Sequence, residues 1–208
     1  MKNKKLTIAM AMCAAGALAT EAQAAALSPY LSVKAGYGNA TMEKADTSYT
    51  GTGFIGAVGA RYALEDINLR GELEISMLSY KNDHANQDNY PIEAITGEAK
   101  LKNTSYMANF YVDFFKNYKL KPYVGFGLGS AKLKEDISEE IYDYSTTLTT
   151  YDSYSSDKSA FIYGLHLGVG FNITDGLGSE IGARYLIADI DGKSLTMLSA
   201  NIGLRYTF

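Results

Sequence analysis

A chain of 208 residues with one cysteine, no tryptophan and 17 tyrosines has the length of a single domain and no partner for an internal disulfide. Its formal charge of −4, from 19 basic and 23 acidic residues, excludes the broadly basic surface that nucleic acid or another polyanion needs. After residue 24 no apolar run reaches the roughly 18 residues of a spanning helix, so a membrane could be crossed only by strands closed into a barrel.

The chain begins with Lys2, Lys4 and Lys5, an apolar stretch from Leu6 to Ala19, and Ala22-Gln23-Ala24. That order predicts a secretory signal peptide over residues 1–24, cleaved between Ala24 and Ala25. Cys13 does not make it a lipoprotein leader, because Met10-Ala11-Met12 lacks the residues such a site needs. Residues 25–208 then form the mature domain, without a thiol.

Alternation with period two recurs eight times along that domain. One face of the first strand carries Leu31, Val33, Ala35 and Tyr37, and of the second Phe54, Val58, Ala60 and Tyr62. The third offers Ile67, Leu69, Leu73, Ile75 and Met77; the fourth, Tyr106, Ala108, Phe110, Val112 and Phe114. Pro122, Val124, Phe126 and Leu128 mark the fifth, and Phe161 to Phe171 the sixth. The seventh has Leu177, Ile181, Ala183 and Tyr185, and the eighth runs from Leu198 to Phe208.

None of these faces carries a charge. The opposite faces hold Lys34, Arg61, Arg70, Glu72, Glu74, Asp113, Glu180, Arg184 and Arg205. A soluble sandwich would also show one apolar face, but three features favour a membrane barrel. Connections alternate between long ones of roughly 15 to 28 residues and short ones of about 4 to 7, as in outer-membrane barrels. Aromatic residues gather at both strand ends, where lipid meets water. Glycines 125, 127, 129, 164, 168 and 170 fall on the polar face, where they would make room for long charged side chains.

The expected fold is therefore all-β: an eight-stranded antiparallel up-and-down transmembrane barrel with long extracellular loops and short periplasmic turns. A barrel of this size is just filled by its side chains, so the nine inward charges are expected to form a lumenal network anchored by Arg70, Glu72, Glu74 and Arg184. An ion path lined by the same charges is the alternative.

Segment 134–158 sets two lysines against seven acids, with Tyr142, Tyr144, Tyr151 and Tyr154 among serines and threonines. This composition suits a protein-contact surface as a whole; residue by residue it reads first as a polar hairpin that extends the barrel outward. Asp189-Ile190-Asp191-Gly192 reads as a tight turn. Only His84 and His166 could serve as a catalytic imidazole. His166 lies mid-strand on the inward face near Arg184, and His84 lies in a loop beside Asp83 and Asp88. There is no metal-ligand cluster, nucleophile motif or phosphate-binding glycine loop, so no enzyme activity and no cofactor are expected.

Lys121 to Gly129 (KPYVGFGLG), the strand from Tyr163 to Gly170, Gly182-Ala183-Arg184-Tyr185 and the terminal Arg205-Tyr206-Thr207-Phe208 resemble the opacity-type surface proteins. These are small outer-membrane barrels that include surface antigens of intracellular bacteria. The resemblance is clearest from the fifth strand onward. It implies eight strands in the outer membrane of a Gram-negative cell, variable exposed loops and, in several members, adhesion to a host or matrix protein. It also implies that Tyr206 and Phe208 form the ending read by the barrel-assembly machinery. Members that bind acidic polysaccharide use basic loops, which this chain lacks. The expectation is a surface structural protein or adhesin, with a small-solute porin, then a lipid-modifying enzyme, as alternatives.

Overall fold

Alternating segments become strands because each side chain must face either the lumen or the outside, and eight of them close on themselves. The computed structural model describes residues 27–42, 48–86, 93–115, 118–143, 148–190 and 192–208. Residues 1–26, with the expected leader and its Ala24–Ala25 cleavage site, lie outside the described residues. In chain order the strands are β1 Leu27–Met42, β2 Ser48–Ala63, β3 Asn68–Asn86 and β4 Glu93–Asp113, then β5 Leu120–Asp143, β6 Leu148–Asn172, β7 Leu177–Ile190 and β8 Lys193–Thr207. Each pairs antiparallel with its neighbours, and β1 pairs with β8, with Tyr30 opposite Thr207 and Met42 opposite Leu195. Closure leaves no unpaired edge at membrane level, and above Phe161 β6 is paired with β5 alone.

The apolar faces point outward. Val33 is 65% exposed, Phe54 77% and Leu165 61%, while Arg70 is 3% exposed and Glu180 1%. Such an exterior is stable only in hydrocarbon, and this inversion of the usual burial order is what orients the molecule. Ser179 falls among the outward positions, and its hydroxyl donates to the Gly203 carbonyl at 3.0 Å, so it presents no unpaired group.

Two sequence expectations change. The long connections are mostly strand, and for 134–158 the outward-hairpin reading is the one that holds: β5 and β6 have 24 and 25 residues and stay paired up to Asp143 and Leu148. Several inward glycines admit rings or a close backbone rather than long charged side chains. A Cβ at Gly125 would strike the Tyr111 ring, and one at Gly168 or Gly182 the Tyr123 ring. Gly170 alone of the six expected positions borders a charged group, Arg205. At the Asp189 turn Gly192 has φ 77 and donates its N–H to the Asp189 carboxylate at 3.3 Å, while Asp191 lies outside the described residues.

Candidate functional site

Inward-facing charges from five strands meet at membrane level. Arg70 donates through Nε to Asp113 at 2.8 Å and through Nη1 to Glu72 at 3.0 Å, and lies 3.7 Å from Glu180. Glu180 also receives Lys34 at 2.6 Å and Arg205 at 3.3 Å, and Lys34 reaches Glu72 at 3.7 Å. The Tyr30 hydroxyl donates to Glu72 at 2.7 Å. The Arg70 guanidinium sits between the Tyr111 and Tyr123 rings, 4.5 and 5.0 Å from their centroids. Buried ions cost free energy unless their bonding capacity is met, and here each carboxylate of this cluster answers at least one cation.

A second group lies farther out. Arg184 donates to Glu74, whose other oxygen accepts from the Asn109 amide at 3.1 Å. His166 is opposite Arg184 in the β6–β7 ladder, its ring packed edge-on to Tyr111 at 5.4 Å. Arg61 stands apart: it is half-buried opposite Arg70 on β2, and among the described residues it makes no ion pair with the cluster. Tyr30, Tyr111, Tyr123 and Asn109 were missed in the sequence. Inward tyrosines look like interfacial ones until the strand parity is fixed.

Above the aromatic ring the wall inverts. Inward positions turn apolar, with Leu78, Leu101, Leu133, Leu186 and Leu195 packed together, while outward positions turn polar. Across the lumen the Tyr49 hydroxyl donates to Glu135 at 3.0 Å, tying β2 to β5. A cavity of about 320 Å³ lies over Leu101, Leu133 and Leu195, below a rim that includes Glu135, Lys158 and Lys193. A hydrated ion entering from outside therefore meets an apolar stopper first and the ionic cluster second.

Burial first, and then the bond to Glu135, push the Tyr49 hydroxyl up to about 12. A tyrosine whose folded pKa is raised above its unfolded value of about 10 adds stability below that pH, and loses it as the pH rises past 12. Tyr49→Phe should cost about 0.5–1.5 kcal/mol at neutral pH. Urea unfolding of the refolded protein should show the gap from the parent closing once the pH passes about 12.

Outside, β3–β4 and β5–β6 rise as tall hairpins. From Leu128, the last apolar residue on the outward face of β5, the strand runs on to Asp143, roughly 50 Å of chain. Tyr154 is 64% exposed and pairs with Ile137. Tyr142 and Tyr151 occupy ladder positions opposite Thr149 and Glu140, their side chains outside the described residues, as is the whole of Tyr144. His84 likewise has only its backbone described, paired with Gly97. Exposed Asp136 accepts from Ser155 at 2.9 Å and approaches Lys134 and Lys102 at 3.3 and 3.4 Å; the Ser155 bond first, then the lysines, hold its carboxyl below the usual range.

Comparison with known proteins agrees with this geometry. A family model described as "Outer membrane protein beta-barrel domain" matches residues 8–208. A candidate adhesin of Rickettsia conorii is 32% identical over 132 residues, covering 62% of this chain and 51% of that protein. An uncharacterized protein of Brucella abortus is 38% identical over 82 residues, covering 38% of this chain and 28% of its own length. The chain thus spans about half of the first relative and under a third of the second. Among solved structures, Neisserial surface protein A superposes with a TM-score of 0.53 at 18% identity, covering 86% of this chain and 97% of that one. That likeness is one of fold.

Proposed function

This chain belongs to the family of outer membrane protein beta-barrel domains, and from that premise we propose that it is a surface-display protein of adhesin type. The observation that carries the proposal is the β5–β6 hairpin, which extends far past the membrane on a barrel whose lumen holds an ion-pair cluster with an apolar cluster above it. A wall that tall adds nothing to crossing the bilayer, whereas it holds an acidic, tyrosine-bearing surface clear of the lipid. Tyrosine gives large contact area at low entropic cost, and the acids suit a partner with basic patches. The resemblance to a candidate adhesin supports the same reading.

The ladder register gives a clean test. Lys134 pairs with Asp157, so residues 135–156 can be replaced by Asn-Gly, a two-residue turn that keeps the lower pairing. Cells displaying the trimmed protein should lose attachment to host matrix while the barrel still folds. Attachment that survives the trimming would overturn the adhesin reading. In planar bilayers the intact protein should be silent; steady openings of a single size would favour a small-solute porin instead.

A further inference from the structure

The chain is acidic overall, yet the barrel gathers lysines on one side. On β3, β4 and β5 the last apolar outward residues are Met77, Tyr106 and Leu128. The second outward position beyond each is Lys81, Lys102 and Lys132. Elsewhere around the rim, the same step from Phe54, Tyr37 and Leu198 reaches Thr50, Thr41 and Ser194, and from Phe161 it reaches Asp157. Next up the basic side come Lys100 and Lys134. In an acidic protein this is a one-sided cationic belt, set where lipid headgroups begin.

The register sets two of these lysines against each other. Lys102 lies directly opposite Lys134 on the β4–β5 ladder; like charges in facing positions repel. Asp136 approaches Lys102 and Lys134 from the side away from the membrane, and Asp157 faces Lys134 on β6. Lys132, on the membrane side, is exposed and makes no ion pair among the described residues. Facing strands stand about 5 Å apart and alternate residues about 7 Å apart along a strand, so three long side chains can converge on one tetrahedral anion. Below them the outward Phe110 and Phe126 rings stack at 5.4 Å on the same two strands, a flat apolar surface in the bilayer.

We propose that Lys102, Lys132 and Lys134 form a binding site for the phosphate of an anionic outer-leaflet lipid whose acyl chains lie against the Phe110–Phe126 face. Each lysine supplies a point charge, so the site selects a phosphomonoester by charge density and by its height at the bilayer surface rather than by sugar structure. The interaction weakens with added salt.

The test uses the whole protein folded in neutral phosphatidylcholine nanodiscs doped with either bis-phosphorylated lipid A or its dephosphorylated form, with retained lipid counted by native mass spectrometry. The parent should retain the phosphorylated form, and K102Q/K132Q/K134Q should retain it less by a factor on the order of a hundred. The Lys→Arg triple variant should bind like the parent, and T41Q/T50Q/S194Q, at the same height on the other side, should be unchanged. Equal retention by the Gln triple variant, or by the parent for both lipid forms, would overturn the site. So would full displacement of lipid A by millimolar inorganic phosphate, which would mark a free-anion site instead. If the Gln triple variant fails to fold, the two lipid forms on the parent decide alone.

Discussion

Arg70→Ala should be the most damaging single truncation in the lumen, costing roughly 3–5 kcal/mol. Arg70 answers Asp113 and Glu72 directly, stands 3.7 Å from Glu180, and fills the space between the Tyr111 and Tyr123 rings. Its removal leaves buried carboxylates short of a partner and opens a cavity between two aromatic rings. Arg70→Lys should recover only part of the loss, because an ammonium cannot fork toward Asp113 and Glu72 while stacking on a ring. A contrasting pair separates charge from volume. Replacing Glu74 and Arg184 together by Met and Leu removes both members of an ion pair and should be close to neutral, apart from the stranded Asn109 amide. Urea titration of protein refolded in detergent, followed by heat-modifiable gel mobility, reads all of these. An Arg70→Ala midpoint equal to that of the parent would mean that the network holds nothing together.

How far the sequence foretold this depends on which rule each element obeys. From Tyr106 to Phe114 the alternation is strict and uncharged on one side, so the strand, its parity and its outward face are all legible. The inward charges are legible for the same reason, since Arg70, Glu72 and Glu74 share one parity on one strand. Their partners are not. Glu74 meets Arg184 across 110 positions of sequence, and only the closed register brings them together. Arg61 shows the limit of parity: it faces inward, but its ladder neighbour is Arg70, so it is left beside the cluster rather than in it.

The tall hairpins were legible only as an alternative at 134–158, because their pattern changes sign. At Leu101 and Leu133 the apolar residue occupies the parity that carries Asn109 and Gly125 lower on the same strands. A pattern search that keeps apolar residues on one parity stops at the aromatic ring and names the rest loop. The lysine belt was hidden in turn, because Lys102 and Lys134 become neighbours only once β4 and β5 are strands at that height.

The same sign change supplies the second large effect, a set of arginine substitutions along β5. Val124 is outward in the bilayer, so Val124→Arg should cost about 2–4 kcal/mol, as should Leu73→Arg on β3. Ser130 has the same parity but lies at the outer boundary, between Tyr106 on β4 and Phe161 on β6, and Ser130→Arg should stay within about 1 kcal/mol of the parent. Leu133 has the opposite parity and packs into the apolar plug, so Leu133→Arg should cost at least as much as Val124→Arg by burying an unpaired charge. A barrel with one apolar side throughout would predict tolerance at 133, since that parity would face a polar lumen. A wall that inverts at the membrane surface predicts damage at 124, little change at 130 and damage at 133. Urea midpoints in lipid vesicles for the three β5 variants decide between them, and a stable Leu133→Arg barrel would remove the plug on which the closed lumen depends.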